Sequence, residues 1–206
     1  MSFGFLGFIY SRINTIDKIF KYGKITIWMY NLLYKMNDKK EGNVMITAKE
    51  IAKYFLSKDS NKKLFNGNLV EFNGRKAYEG NIRLNKYLYF AQTVFLAKYG
   101  KLLFGDDFVA YDNGPVVKEI VENYPSIQAS ANKENIVLPI DIQEFLDKIY
   151  LSLKDASCEE LIEITHEDSA WKEVSDRTYY APIINLEKYK AKFEKQYRGI
   201  IKVMEI

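Results

Sequence analysis

Cys158 and His166 are the only cysteine and the only histidine of the 206 residues, so a thiol–imidazole pair is the first chemistry to weigh. A thiol at a helix N-terminus has a lowered pKa, and Ser157-Cys158-Glu159-Glu160 reads as such a terminus. The two residues are placed around one short helix, however, which holds them apart. A small first-turn residue is the plainer reading of Cys158. A single histidine rules out a three-histidine metal site. A single cysteine rules out a disulfide framework and a cysteine-rich zinc site. Asp106-Asp107, Glu159-Glu160 and Glu167-Asp168 offer oxygens to a hard cation. Carboxylates also collect at the positive ends of helices, which explains these pairs more simply. His166 has no second catalytic partner and reads as a structural or interface residue. Trp171 reads as core, unless an exposed position makes it an anchor for another protein.

Other catalytic templates are missing. No Gly-x-Ser-x-Gly elbow marks a hydrolase nucleophile. Gly23-Lys24 and Gly100-Lys101 lack the upstream glycine and the following hydroxyl of a phosphate-binding loop. No Gly-x-Gly-x-x-Gly follows a strand. The expectation is a protein without catalytic residues, cofactor or metal.

The elements around these residues are mostly helical. Thr47-Ala48-Lys49-Glu50 is a capping box opening a helix with Ile51, Tyr54 and Phe55 on its apolar face. Leu69–Phe72, Asn73-Gly74 and Arg75–Tyr78 read as a hairpin. The strongest helix runs from Asn81 to Tyr99. Leu84, Tyr87, Leu88, Ala91, Val94 and Phe95 recur along one face, and Gly100 stands as its C-terminal stop. Phe108–Tyr111 is a short extended stretch. Asp112-Asn113-Gly114-Pro115 is a tight turn, with Pro115 as the first residue of a helix that ends before Pro125. Residues 126–138 read as a loop. Helices follow after Pro139 and Ser157, and Trp171 falls in a short turn or helix. Tyr179-Tyr180-Ala181-Pro182 breaks the pattern. A terminal helix capped by Asn185 then carries Tyr189, Phe193, Tyr197, Ile200 and Ile201 on one side. The fold class expected is mainly α: a single compact helical domain with a small β-hairpin or short strand element.

Apolar residues at 48% and charged residues at 28% have the balance of a globular chain. The net charge of +3 is unevenly spread. Residues 1–44 hold seven of the 30 basic and three of the 27 acidic residues, a local +4, which leaves 45–206 at −1. A near-neutral body argues against nonspecific binding to nucleic acid, which needs clustered Lys and Arg. Apolar runs at Phe3–Tyr10 and Ile25–Tyr34 are too short to span a bilayer. Lys18, Lys21 and Lys24 interleave with Ile19, Phe20 and Tyr22, as in a membrane-surface or partner-binding helix. The bland reading is a helix docked on the body. A third reading is that 1–44 lies upstream of the true start. Lys40-Glu41-Gly42 can be encoded by a string containing a bacterial ribosome-binding sequence, with Asn43 and Val44 as spacer before Met45. Met45 is therefore the expected start, and 45–206 the domain. A native peptide upstream of Met45 would refute this.

Arg83-Leu84-Asn85-Lys86-Tyr87-Leu88-Tyr89-Phe90-Ala91-Gln92 is similar to the KLQKLLYFAQ helix of the Panacea domain, the SocA-like antitoxin family. The likeness continues through Tyr99–Phe104, Phe108–Tyr111 and Asn113–Val117, where the family reads LFxxxxEAWxxGPVVxEVY. Leu161–His166 with Ala170-Trp171 resembles its LxELTHxxxPW element, and Met45–Tyr54 resembles its usual beginning. The resemblance covers about 45–200. The chain departs from the pattern with Tyr111 for the usual Trp, Val109 for the usual acid, Ala170 for the usual proline, and a longer 58–80 region.

The resemblance implies an antitoxin of a bacterial or prophage toxin–antitoxin pair, which neutralises a co-encoded toxin in the cytoplasm by direct binding. The alternative it implies is an adaptor that delivers the toxin to an AAA+ protease. A DNA-binding autoregulator is the weaker third reading. Toxin-binding candidates are Tyr111, Asp112, Asn113, His166 and Trp171. Structural motif positions are Leu84, Lys86, Leu88, Phe90, Gln92, Phe104, Gly114, Pro115 and Val116.

Overall fold

The computed structural model describes residues 46–72, 75–131, 133–134, 136–175 and 181–203. The apolar and basic runs before Met45, Met45 itself, the Asn73-Gly74 turn and Tyr179-Tyr180 lie outside the described residues.

The described residues open with helix α1 (Ala48–Lys58), started by the expected capping box: the Thr47 side chain accepts from Glu50 N, and Glu50 answers on Thr47 N at 2.8 Å. Strands β1 (Leu69–Phe72) and β2 (Arg75–Tyr78) pair antiparallel from Leu69↔Tyr78 to Phe72↔Arg75, the expected hairpin. Helix α2 (Glu79–Tyr99) stops at Gly100, whose φ of +71° suits a residue without a Cβ. Strands β3 (Phe108–Tyr111) and β4 (Gly114–Val117) form a second hairpin. Helices α3 (Lys118–Ser130), α4 (Ile140–Leu153), α5 (Cys158–His166) and α6 (Ser169–Ser175) follow. Strand β5 (Ile183–Ile184) joins β3 antiparallel, giving the order β4-β3-β5. Asn185 caps a 3₁₀ turn, Leu186–Tyr189, that runs into the last helix, α7 (Lys190–Val203). The described residues are mainly α, with two small antiparallel sheets among them.

Two prolines overturn local expectations. Pro115 does not start a helix; it lies in β4 opposite Ala110, and the helix begins only at Lys118. Pro125 does not end that helix, which continues to Ser130 and takes in the first part of the stretch read as a loop. A proline inside a helix leaves the carbonyl four residues earlier without its donor. Here that carbonyl belongs to Val121, and Asn81 Nδ2 donates to it at 3.3 Å. A neighbouring side chain thus supplies the bond that the chain's own backbone cannot.

A larger departure concerns α2. Its spacing predicts one apolar face and one wet face, yet every residue from Gly80 to Ala97 is buried. It packs against α1, α3, α4, α5, α7, β2 and β4. The apolar positions build the core, where Tyr87 meets Phe55 and Phe65 edge-to-face at 5.4 and 5.1 Å. The polar positions bond outward to backbone that has no partner in its own element. Arg83 Nη1 donates to Ala156 O at 2.6 Å. Gln92 accepts from Leu103 N at 2.9 Å and donates to Phe104 O at 2.9 Å. Hydrogen bonds offset much of the cost of burying such groups, and these ones make the helix a polar spine that fastens the surrounding loops.

Candidate functional site

The β3–β4 hairpin needs that spine most. Ala110 N–H points to the β5 side and donates to Pro182 O at 2.9 Å. Ala110 and its partner Pro115 therefore turn their backbone groups away from each other, as alternate pairs of an antiparallel ladder do. The Pro115 carbonyl and, two residues on, the Val117 N–H then face the open edge of the sheet. An unpaired edge invites another strand or must be covered. Two side chains of α2 cover it: Lys86 Nζ donates to Pro115 O at 3.1 Å, and Asn85 Oδ1 accepts from Val117 N at 2.8 Å. All four residues of β4 are buried.

Gly114 lies at the turn with φ +96°. A Cβ there would stand 2.6 Å from Lys86 Nζ and 2.7 Å from Thr165 Oγ1, so glycine is required by conformation and by space. Gly114, Pro115 and Val116 are thus strand residues locked onto α2 and α5 rather than a free turn before a helix.

At the outer end of the hairpin, where Asn113 completes the turn, Tyr111, Asp112, His166 and Trp171 meet. His166 ends α5 and Trp171 lies in α6, and their rings stack 4.0 Å apart at 11°. Trp171 Nε1 donates to the Tyr111 carbonyl at 3.0 Å. His166 is hydrogen-bonded to the backbone of Asp112. Asp112 is exposed, and Tyr111, Asn113, His166 and Trp171 are each half-buried. Asp168 holds the step between α5 and α6 by accepting from Ala170 N at 2.8 Å. Burial raises the Asp168 pKa, and its carboxyl faces the Tyr89 hydroxyl inside the core.

The electrostatics beneath the tip are set by Lys86, which is fully buried. Burial pulls its pKa down to about 7. His166 is lowered first by burial and then by the nearby Lys86, while the Asp112 backbone raises it. A neutral imidazole at pH 7 follows, suited to packing on an indole. Cys158 is the small, buried first-turn residue of the plainer reading. Desolvation outweighs the helix end and pushes the thiol up to about 11. Cys158 and His166 sit at opposite ends of α5, about 12 Å apart along its axis.

The acidic pairs have local duties. Asp106 Oδ2 accepts from Ala48 N at 2.8 Å, Glu160 completes a capping box with Ser157, and Glu167 pairs with Lys172 at 2.9 Å. Among the described residues no three His, Cys, Asp or Glu side chains converge as a metal site would require. A shallow cleft of about 220 Å³ opens near the Phe108 end of β3, between Asp106-Asp107 and Ile183–Glu187; His166 does not line it.

Of the motif positions, Leu84, Leu88 and Phe90 are core, Gln92 holds the Leu103-Phe104 backbone, and Lys86 holds β4. Asn85 and Thr165 were not singled out by residue type. Asn85 accepts from the edge N–H of Val117, and Thr165 Oγ1 lies against Gly114. No helix among the described residues is long and apolar enough to cross a membrane.

No curated protein and no solved structure matches the chain. Residues 84–172 match the family described as antitoxin SocA-like, Panacea domain, and this stretch lies inside the span of about 45–200 where the motifs resemble it. It supplies most of α2, the whole β3–β4 hairpin, α5 and the Trp171 half of the stacked pair. The spine and the rings it supports therefore fall within the segment, residues 84–172, that is similar to the Panacea domain of the SocA-like antitoxins.

Proposed function

We propose that residues 45–206 form a cytoplasmic antitoxin domain that binds and occludes a co-encoded bacterial or prophage toxin through Tyr111, Asp112, Asn113, His166 and Trp171. The observation that carries this reading is the half-exposed stack of His166 on Trp171, bonded at its rim to the turn of a hairpin with a buried base. Aromatic side chains held rigidly in a partly polar setting are the usual anchors of protein interfaces, because they bury much area and lose little freedom. Exposed Glu163, on the same helix as His166, and exposed Glu167, just past its end, give the anchors a polar rim. Neutralisation by occlusion needs fit rather than chemistry, in keeping with a family of antitoxins.

The test is co-expression with the adjacent reading frame. The wild-type chain restores growth and co-purifies with the toxin. A Trp171→Ala, His166→Ala double variant that stays folded loses about 2 kcal/mol or more of affinity and fails to protect. Full protection by that variant would remove the site from the reading. Toxin half-life separates occlusion, where turnover is unchanged, from delivery to a AAA+ protease, where turnover quickens.

A further inference from the structure

Lys86 is the one feature of this region that neither core packing nor the contact surface accounts for. A lysine side chain is long enough to lead its ammonium out to water, yet this one stays wholly inside. It points at a strand edge where Pro115 offers a carbonyl and no N–H. We propose that Lys86 is a positioning residue for partner binding: by holding the Pro115 carbonyl from beneath, it sets the shape of the Tyr111–Gly114 turn and so the seat of the Trp171 and His166 rings. The inference rests on the proposed function for the partner, and on the geometry alone for the hold on the turn.

Three observations converge. The Lys86–Pro115 bond lies one residue past Gly114, the point where the chain turns. Lys86 Nζ and Thr165 Oγ1 together fill the space that a Cβ at Gly114 would take, so the turn is moulded on the ammonium itself. Trp171 and His166 rest on the backbone of Tyr111 and Asp112, the other limb of the same turn. A displacement at Lys86 therefore reaches both rings through one two-residue connection.

The hold depends on protonation. An ammonium donates three hydrogen bonds of charge-assisted strength, and the neutral amine donates two weaker ones. The ionisable groups facing Lys86 from α5 are the Cys158 thiol, which stays protonated, and His166; β4 presents only backbone. Arg83 precedes it by one turn on α2, and Asp112 meets His166 at the tip. With its value drawn toward neutrality by burial, Lys86 changes state between pH 6 and 8 rather than in the usual lysine range.

The test uses the full chain. Amide and indole NMR of the free protein follows Gly114, Val116 and Trp171 from pH 5.5 to 9, in the wild type, Lys86→Met and His166→Asn. The expected result is a titration of Gly114 and Val116 near neutrality in the wild type. It persists in His166→Asn and is lost in Lys86→Met, while α1 and β1–β2 resonances stay put. Affinity for the co-encoded toxin is expected to fall about tenfold in Lys86→Met although its melting temperature does not fall. A lysine that merely fills the core predicts the reverse: methionine fits, the tip does not titrate, and the affinity holds. Either the absence of a tip titration in the wild type or an unchanged affinity in Lys86→Met overturns the proposal. If Lys86→Met does not fold, the wild-type and His166→Asn titrations decide. If the wild-type chain binds no toxin, the proposed function falls, and the titration still decides the hold on the turn.

Discussion

Two hairpins in this molecule share a plan and differ in fate. Each has strands of four residues joined by two, Asn73-Gly74 in the first and Asp112-Asn113 in the second. The first is a two-stranded ribbon that leaves Leu69 63% exposed. Its inner side, Val70 and Ala77, lies on a satellite cluster of Ile82, Cys158 and Ile162. The second is extended to three strands by β5, has an edge strand without one exposed residue, and carries the aromatic pair. Local turn chemistry favours the first, since Asn-Gly is the stronger hairpin signal. What separates them is the outer edge. Lys86 and Asn85 act as a substitute fourth strand for the second hairpin. Rigidity at the candidate site thus comes from a helix beneath the sheet rather than from the turn.

The sharpest way to break this contrast is at a glycine. Gly114→Ala forces a Cβ into Lys86 and Thr165 at positive φ, and urea unfolding should show a loss of about 2–4 kcal/mol. Gly67→Ala, which leads into the first hairpin and meets nothing within 4 Å, should change stability by less than about 1 kcal/mol. Equal costs at both positions would erase the distinction. Asn85→Ala leaves the buried Val117 N–H without an acceptor and should cost about 1–3 kcal/mol in the same assay.

The third test is pH. Lys86 has a folded value near 7, below its ordinary value, so between those limits the unfolded chain binds more protons than the folded one. Stability therefore rises with pH from about 7, on the order of 1 kcal/mol per unit, until the ordinary lysine range is reached. Buried Cys158, its thiol pushed up to about 11, pulls the other way from its ordinary value of 9, and Tyr87 and Tyr124 do so above pH 10, so the window to measure is about 7 to 8.5. Lys86→Met should flatten the rise. Trp171→Phe keeps a ring against His166 but loses the bond to Tyr111 O, for a cost of about 1 kcal/mol by thermal unfolding. Smallest of all, Leu69→Ser on the exposed ribbon should shift stability by less than about 0.5 kcal/mol.

Signals that act within a few residues were legible in the sequence. Thr47 and Ser157 open helices through capping boxes, Gly100 ends one, and the first hairpin has its expected register. Signals completed by distant partners were not. Pro125 reads as a stop until Asn81 is seen to take the Val121 carbonyl. Pro115 reads as a helix start because its strand is held from 29 residues away. Helix α2 reads as two-faced because Arg83, Asn85, Lys86 and Gln92 are polar, and only the structure gives each a buried partner. The candidate residues of the tip were named through family motifs, and the structure links four of them, Tyr111, Asp112, His166 and Trp171; Lys86 beneath them was visible only as one matching letter in a motif string.

The ribbon also has a use as a shutter. Beneath it lies Cys158, 2% exposed and reluctant to ionise. A maleimide added to the intact protein can reach that sulfur only when β1–β2 swings away or the whole chain opens. Its labelling rate is thus a stopwatch for excursions of the covering strands, readable in living cells by mass shift and independent of any toxin.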